Sequence, residues 1–252
     1  MNKLEMAIAL AALLLAPLVA LAAGDTVKLD HAPIDERDVP SLQRGARHFV
    51  NYCLNCHSAN YMRYNRLRDI GLTEQQILDN LVFTGVKVGD LMKTAMDPKD
   101  AKEWFGTAPP DLTVSARARA SHAGSGPDWL YTYLRSFYRD ASRPNGWNNT
   151  VYPNVAMPHV LWELQGEQIL KAAKAQGPGD RIDVPKLELA RKGALTPLEY
   201  DRMVADLVNY LNYMAEPARA DRKLIGIYVL VFLAFMSGLA YLLKKEYWKD
   251  VH

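Results

Sequence analysis

The stretch Cys53-Leu54-Asn55-Cys56-His57 constrains this chain more than any other, because it holds both of its cysteines. A cross-link across so short a loop removes little entropy from the unfolded chain, and no further cysteine exists to build a disulfide framework. The two thiols are therefore expected to carry chemistry. C-x-x-C-H is the attachment signature of a c-type haem. Two thiols on one helical turn reach the two vinyl groups of a haem edge, and the following His57 directs its imidazole at iron. Three rivals compete. A thioredoxin-like C-x-x-C should follow a strand in a βαβ unit, and no such pattern precedes Cys53. A zinc site wants four ligands, so His48, His122 and His159 would have to converge from afar. A plain disulfide gains little, so one covalently attached haem c is the favoured cofactor.

The two ends of the chain bear on where it resides. Met1-Asn2-Lys3 precedes an apolar run from Met6 through Ala16, Pro17 breaks it, and Ala20-Leu21-Ala22 supplies small residues. That order predicts a secretory signal peptide over residues 1–22, and Pro17 argues against a retained membrane helix. Leu224 to Leu243 is a 20-residue run without a charge. At about 1.5 Å per residue it reaches about 30 Å, one hydrocarbon thickness. Tyr228, Tyr241, Tyr247 and Trp248 sit near its ends, where amphipathic rings favour the interface. A buried core helix is the alternative, but Lys223 and Lys244-Lys245 bracket the run sharply.

Basic flanks do not orient this span, since Arg219, Arg222 and Lys223 balance Lys244, Lys245 and Lys249. Export does. A haem domain over 23–223 is expected on the periplasmic side of a bacterial-type inner membrane, with an anchor over 224–243 and a cytoplasmic tail over 244–252. The net charge of +2 leaves no broad footprint for nucleic acid.

Between the ends the pattern is helical. Ser41 can cap a helix running to Cys53, and Thr73 with Gln76 at capping-box spacing opens a second, its apolar face Ile77, Leu78, Leu81 and Val82. Pro109-Pro110-Asp111 marks a turn or extended stretch. Asp128 opens a third helix on which Trp129, Tyr133 and Phe137 recur every four residues, as core packing, as a haem-pocket wall, or both. Loop is expected from Arg143-Pro144-Asn145-Gly146 to Tyr152-Pro153-Asn154, and at Gly177-Pro178-Gly179-Asp180. From Thr196, with Pro197 at the first position, a last soluble helix runs through Tyr200, Met203, Leu207, Tyr210 and Leu211, and Pro217 is placed to kink it. Strand signals are weak throughout, so the expected fold is all-α: a c-type cytochrome domain with long loops plus a C-terminal transmembrane helix.

If His57 binds iron, the occupant of the sixth position decides between ligand chemistry and plain electron transfer. Met62 follows His57 too closely, Met6 and Met236 lie in the apolar ends, and Met203 and Met214 belong to a helix core. Met92 and Met96 lie in a short segment of unclear structure. Met157 stands in a downstream loop beside Pro158, which stiffens the backbone. Its soft thioether favours Fe(II) and makes it the preferred second metal ligand. His159 is the rival. No acid–base pair or nucleophile accompanies the haem motif, so no independent catalytic site is expected.

In order along the chain, Gly45-Ala46-Arg47, Tyr52 through Ser58, Ala108-Pro109-Pro110-Asp111-Leu112, Arg117-Ala118-Arg119, Asp128-Trp129-Leu130-Tyr131, Met157-Pro158 and Ala215-Glu216-Pro217 together resemble cytochrome c1, the haem subunit of the cytochrome bc1 complex. The resemblance covers nearly the whole chain after residue 22. It implies an electron relay from a Rieske iron–sulfur protein to a soluble or tethered cytochrome c, beside cytochrome b in the membrane. It also implies that Cys53 and Cys56 hold the haem and that His57 and Met157 ligate its iron. Arg119 would meet a haem propionate, with Arg117 as the neighbouring alternative, and the turn at Pro109-Pro110 would line the haem edge.

Overall fold

Helix α1 (Val39–His48) begins at Asp38, whose carboxylate accepts the Ser41 N–H at 3.0 Å. Ser41, expected to be the cap, lies a turn inside and is buried, its hydroxyl accepting from the Asn209 amide. Pro40 explains the earlier start: in a first helical turn its missing N–H costs nothing. From Phe49 to Cys53 the helix widens into a π turn, with the Leu54 N–H reaching the Phe49 carbonyl at 3.0 Å. A computed structural model describes residues 28–171 and 186–249. The signal peptide expected over 1–22 and the Gly177-Pro178-Gly179-Asp180 turn lie outside the described residues.

After the haem motif come strand β1 (Ala59–Arg63), a 3-10 stretch (Tyr64–Ile70), and helix α2 (Glu74–Leu81) with the expected Thr73–Gln76 capping box. Ile77 and Leu81 are buried, while Leu78 is 37% exposed. Strand β2 (Leu91–Met92), α3 (Pro98–Phe105) and the short α4 (Ser115–Ala118) follow, then α5 (Gly126–Arg135). Ser125, not Asp128, caps α5; Asp128 is the third residue and bonds back to the Ser125 N–H, completing a reciprocal box.

The expectation of an all-α fold needs correction. Among the described residues three two-stranded antiparallel ribbons join the helices: β1 with β2, β3 (Phe137–Arg139) with β4 (Trp147–Asn149), and, flanking the short α6 (Trp162–Gln165), β5 (Gly166–Lys171) with β6 (Lys186–Lys192). The β3–β4 hairpin sits partly where continuous loop was expected. Strands of two or three residues carry no readable period-2 signal, and β6 is built from lysine, leucine, glutamate, alanine and arginine, all good helix formers.

The core lies along α7 (Pro197–Ala215), opened by Thr196 and Glu199 in a capping box with Pro197 in the first turn. Tyr200, Met203, Val204, Leu207, Val208, Tyr210 and Leu211 are all buried. Helix α1 crosses it at Gly45, where an added Cβ would stand 2.1 Å from the Asp206 carbonyl oxygen. Backbone contact is possible only without a side chain there. Pro217 ends α7 rather than kinking it: helix stops at Ala215 and restarts as α8 (Arg219–Tyr247). Within α8, Leu224–Tyr247 holds an 18-residue window of mean hydropathy 2.2 that buries nothing against the rest of the protein. Twenty-four residues extend about 36 Å, enough to cross a hydrocarbon core with some tilt.

Candidate functional site

The π turn delivers Cys53 at its last position, and the N–H groups of Cys56 and His57 both bond to the Cys53 carbonyl, at 3.1 and 2.8 Å. Two thiols and an imidazole thus share one tight turn. Both cysteines are half-buried and uncrosslinked. Burial, reinforced by Cys56, pushes the Cys53 thiol up to about 12, and burial raises Cys56 as well. Thioether bonds to two vinyl groups would use both thiols and need no further cysteine, whereas a zinc site needs about four ligands. Among the described residues no cluster of three His, Cys, Asp or Glu side chains could hold a metal ion.

His57 is 9% exposed, and its Nδ1 lies 2.7 Å from the Pro110 carbonyl oxygen. Facing a carbonyl, Nδ1 must carry the proton, which leaves Nε2 with its lone pair. Among the described residues Nε2 has no hydrogen-bond partner. Burial lowers the His57 pKa, outweighing the Pro110 carbonyl and Asp111, so the ring is held in the neutral, ligating form. Pro110 itself is fixed by lacing its segment to the one after the haem motif. The Leu112 N–H bonds to the Ser58 carbonyl at 2.9 Å, and the Asn60 N–H to the Asp111 carboxylate at 2.7 Å.

Beyond that laced segment the chain enters α4, which is closed at its C-terminus by Arg119. The exposed Arg119 guanidinium lies 4.4 Å over the Trp129 ring and 5.7 Å from Tyr152, and pairs with no carboxylate among the described residues. Arg117, the neighbouring alternative, is engaged with Glu216 at 3.1 Å. Trp129 stacks on Tyr133 at 4.7 Å, and the Tyr133 hydroxyl donates to Met157 Sδ at 3.4 Å. The aromatic stripe therefore packs in the core and touches Met157, with Trp129 and Tyr133 on α5 and Phe137, expected on the same helix, lying beyond its end on β3.

Met157 is half-buried on a loop pinned from several sides. The Asn154 N–H reaches Asn148 Oδ1 at 2.8 Å, Asn145 donates to the Ala156 carbonyl at 3.0 Å, and Val155 is buried. Asn154 takes the left-handed backbone (φ 63°) that asparagine tolerates well. His159, the rival ligand, is held differently. Its ring stacks on Phe137 at 4.8 Å and meets the Trp147 edge, and Nε2 is sealed in protein without a partner among the described residues.

The structure thus joins His57 to Pro110, and Arg119 to Met157 through Trp129 and Tyr133, the two groups linked by residues 110–119. Pro110 acts through its carbonyl, a backbone group that no side-chain pattern announces. Tyr133 was legible as part of a stripe, but its hydroxyl contact was not. Two adjacent uncrosslinked thiols, an imidazole with a free Nε2, a pinned thioether and an arginine without a carboxylate partner among the described residues fit a covalently bound haem c.

A model of the cytochrome C1 family matches residues 30–102 and 84–251. The chain is 52% identical to a cytochrome c1 of Allochromatium vinosum, over 95% of this chain and 96% of the relative. It is 55% identical to a protein of Nitrosomonas europaea named ammonia monooxygenase gamma subunit, over 96% and 97%, and 28% identical to cytochrome c1 of Rhodospirillum rubrum, over 85% and 83%. Family match, relatives and site geometry agree: this chain belongs to the cytochrome c1 family.

Proposed function

We propose that this chain takes single electrons from a Rieske iron–sulfur protein and gives them to a soluble or tethered cytochrome c, working beside cytochrome b in a quinol:cytochrome c reductase. As a cytochrome c1 it is a membrane-anchored electron-transfer subunit of a bc1 complex with one covalently bound haem c. That group supplies a one-electron iron couple, and the chain's residues hold it and set its surroundings. In this reading Cys53 and Cys56 would form the thioethers, and His57 Nε2 and Met157 Sδ would ligate the iron. Arg119 neutralises a propionate, since an uncompensated half-buried carboxylate is costly.

The observation that carries the reading is the 2.7 Å bond between His57 Nδ1 and the Pro110 carbonyl. It fixes ring orientation and tautomer, and it raises the basicity of the nitrogen left for iron. A soft thioether as the other ligand would favour the reduced metal, and two protein ligands would suit an electron relay. The reading also includes a signal peptide at 1–22, a periplasmic domain at 23–223, an anchor at 224–243 and a cytoplasmic tail at 244–252.

Met157→Leu tests the ligand set: the weak far-red band of methionine-to-iron coordination should vanish and the midpoint potential fall. A variant that keeps both refutes Met157 as ligand. A second reading, an anchored cytochrome serving a different oxidase, is favoured by the relative named as an ammonia monooxygenase subunit. Purification in mild detergent separates them. Co-isolation with cytochrome b and an iron–sulfur protein supports the first reading, and co-isolation with a monooxygenase supports the second.

A further inference from the structure

We propose that Tyr133 is a positioning residue that raises the reduction potential of this site by hydrogen-bonding the sulfur of Met157. The proposal rests on the reading of Met157 as the axial donor. The Tyr133 hydroxyl stands 3.4 Å from Sδ, and among the described residues it has no other partner. A thioether is a weak acceptor, and a buried phenol ordinarily finds oxygen. Tyr200 does so, donating to the Leu134 carbonyl at 2.8 Å.

The contact is held from both ends. The Tyr133 ring is 8% exposed, stacked on Trp129 at 4.7 Å and edge-on to Phe137 at 5.1 Å, so the hydroxyl cannot swing away. Its own carbonyl accepts from Asn149 Nδ2 at 2.8 Å on β4. The adjacent Asn148 holds the Asn154 N–H of the Met157 loop. One hairpin therefore registers donor and acceptor together.

A thioether sulfur has two lone pairs. With one directed at iron, the other is free for the O–H, and that proton draws electron density from the sulfur. The sulfur then donates less to the metal. Oxidised iron depends on that donation more than reduced iron does, so the bond disfavours the oxidised state.

The test uses the full-length, haem-loaded protein purified in detergent, titrated potentiometrically with the far-red band recorded. Tyr133→Phe keeps the ring and removes the donor. At the wild-type midpoint its oxidised-to-reduced ratio should rise by about threefold to tenfold, the worth of one hydrogen bond, tenfold being about 59 mV. The band should persist. Tyr210→Phe is the matched control, because Tyr210 donates to Met92 Sδ at 3.7 Å deep in the core, where Met92 is 0% exposed. That variant should change stability and leave the midpoint in place.

An unchanged midpoint in Tyr133→Phe with the band retained overturns the proposal, as does an equal shift in Tyr210→Phe. Loss of the band in Met157→Leu alongside such a result would leave the ligand reading standing, so the two failures are distinct. Should Tyr133→Phe lose haem, 3-fluorotyrosine at position 133, a stronger donor of nearly the same size, should raise the midpoint. A midpoint that does not rise overturns the proposal as well.

Discussion

Gly45→Ala sets two well-known effects against each other. In a helix interior alanine is favoured over glycine by about 1 kcal/mol, so propensity alone makes the substitution stabilising. The packing says otherwise. The new Cβ would meet the Asp206 carbonyl oxygen at 2.1 Å, the Tyr210 Cβ at 2.6 Å and the Asp206 carbonyl carbon at 2.8 Å. Contact distances for such atoms are about 3.5 Å, so α1 and α7 must part by roughly 1 Å. Overpacking of this kind costs about 1–3 kcal/mol. The obstacle is backbone of a buried helix, so the upper end applies, and the net loss is about 2 kcal/mol. For a chain of this size that lowers the apparent melting temperature by about 4–8 °C.

The assay is thermal denaturation of the detergent-solubilised protein, followed by far-UV circular dichroism. Gly89→Ala is the control, since nothing lies within 4 Å of its added Cβ; its stability should change by less than about 0.5 kcal/mol. Because α1 runs directly into the turn bearing Cys53, the Gly45 variant should also carry less haem per chain, read from the ratio of haem to protein absorbance. A Gly45→Ala protein that melts at or above the wild-type temperature would refute the close-crossing argument.

Two further expectations concern charge. Burial alone would raise the Asp128 carboxyl, but hydrogen bonds from Ser125 and the Ala32 N–H, with His31 nearby, outweigh it and hold it below the ordinary value. A depressed carboxylate contributes stability that is present above its unfolded value and is lost as pH falls through the folded one. Asp128→Asn should therefore cost about 1 kcal/mol at neutral pH and flatten the acid limb of a melting-temperature profile; an unaltered limb would contradict this. Arg119→Ala should lower the haem midpoint while losing only about 0.5–1 kcal/mol of cation–π stability. Arg117→Ala, whose guanidinium is already paired with Glu216, should leave the midpoint alone, and equal shifts would dissolve the distinction.

Local chemistry makes much of this fold legible in the linear chain. Thr73 with Gln76, and Thr196 with Pro197, announce their helices because the capping groups lie next to what they cap. Ser41 and Asp128 mislead for a related reason. Each sits three residues from an equally good cap, and only the placement of the first turn decides between them. The ribbons escape for differing reasons: β2, β3 and β4 run two or three residues, β1 pairs with a strand far down the chain, and β6 is made of helix formers. At the site, the proposed ligand residues follow from one motif and one ordered resemblance. The Pro110 carbonyl and the Tyr133 hydroxyl matter through three-dimensional contact, which linear spacing does not encode.

The interruption between α7 and α8 leaves Glu216 with two cationic neighbours, Arg117 of α4 at 3.1 Å and Arg222 of α8 at 3.1 Å. Arg219 adds a second tie, to Glu36 at 3.0 Å. A rigid continuous rod would transmit any tilt of the anchor straight to the globular head. Here a break takes its place, braced by ion pairs of 3.0 to 3.1 Å, much shorter than the Debye length of about 8 Å at physiological ionic strength. The joint between globular part and anchor is accordingly set by paired charges from three separate stretches of chain rather than by unbroken helix.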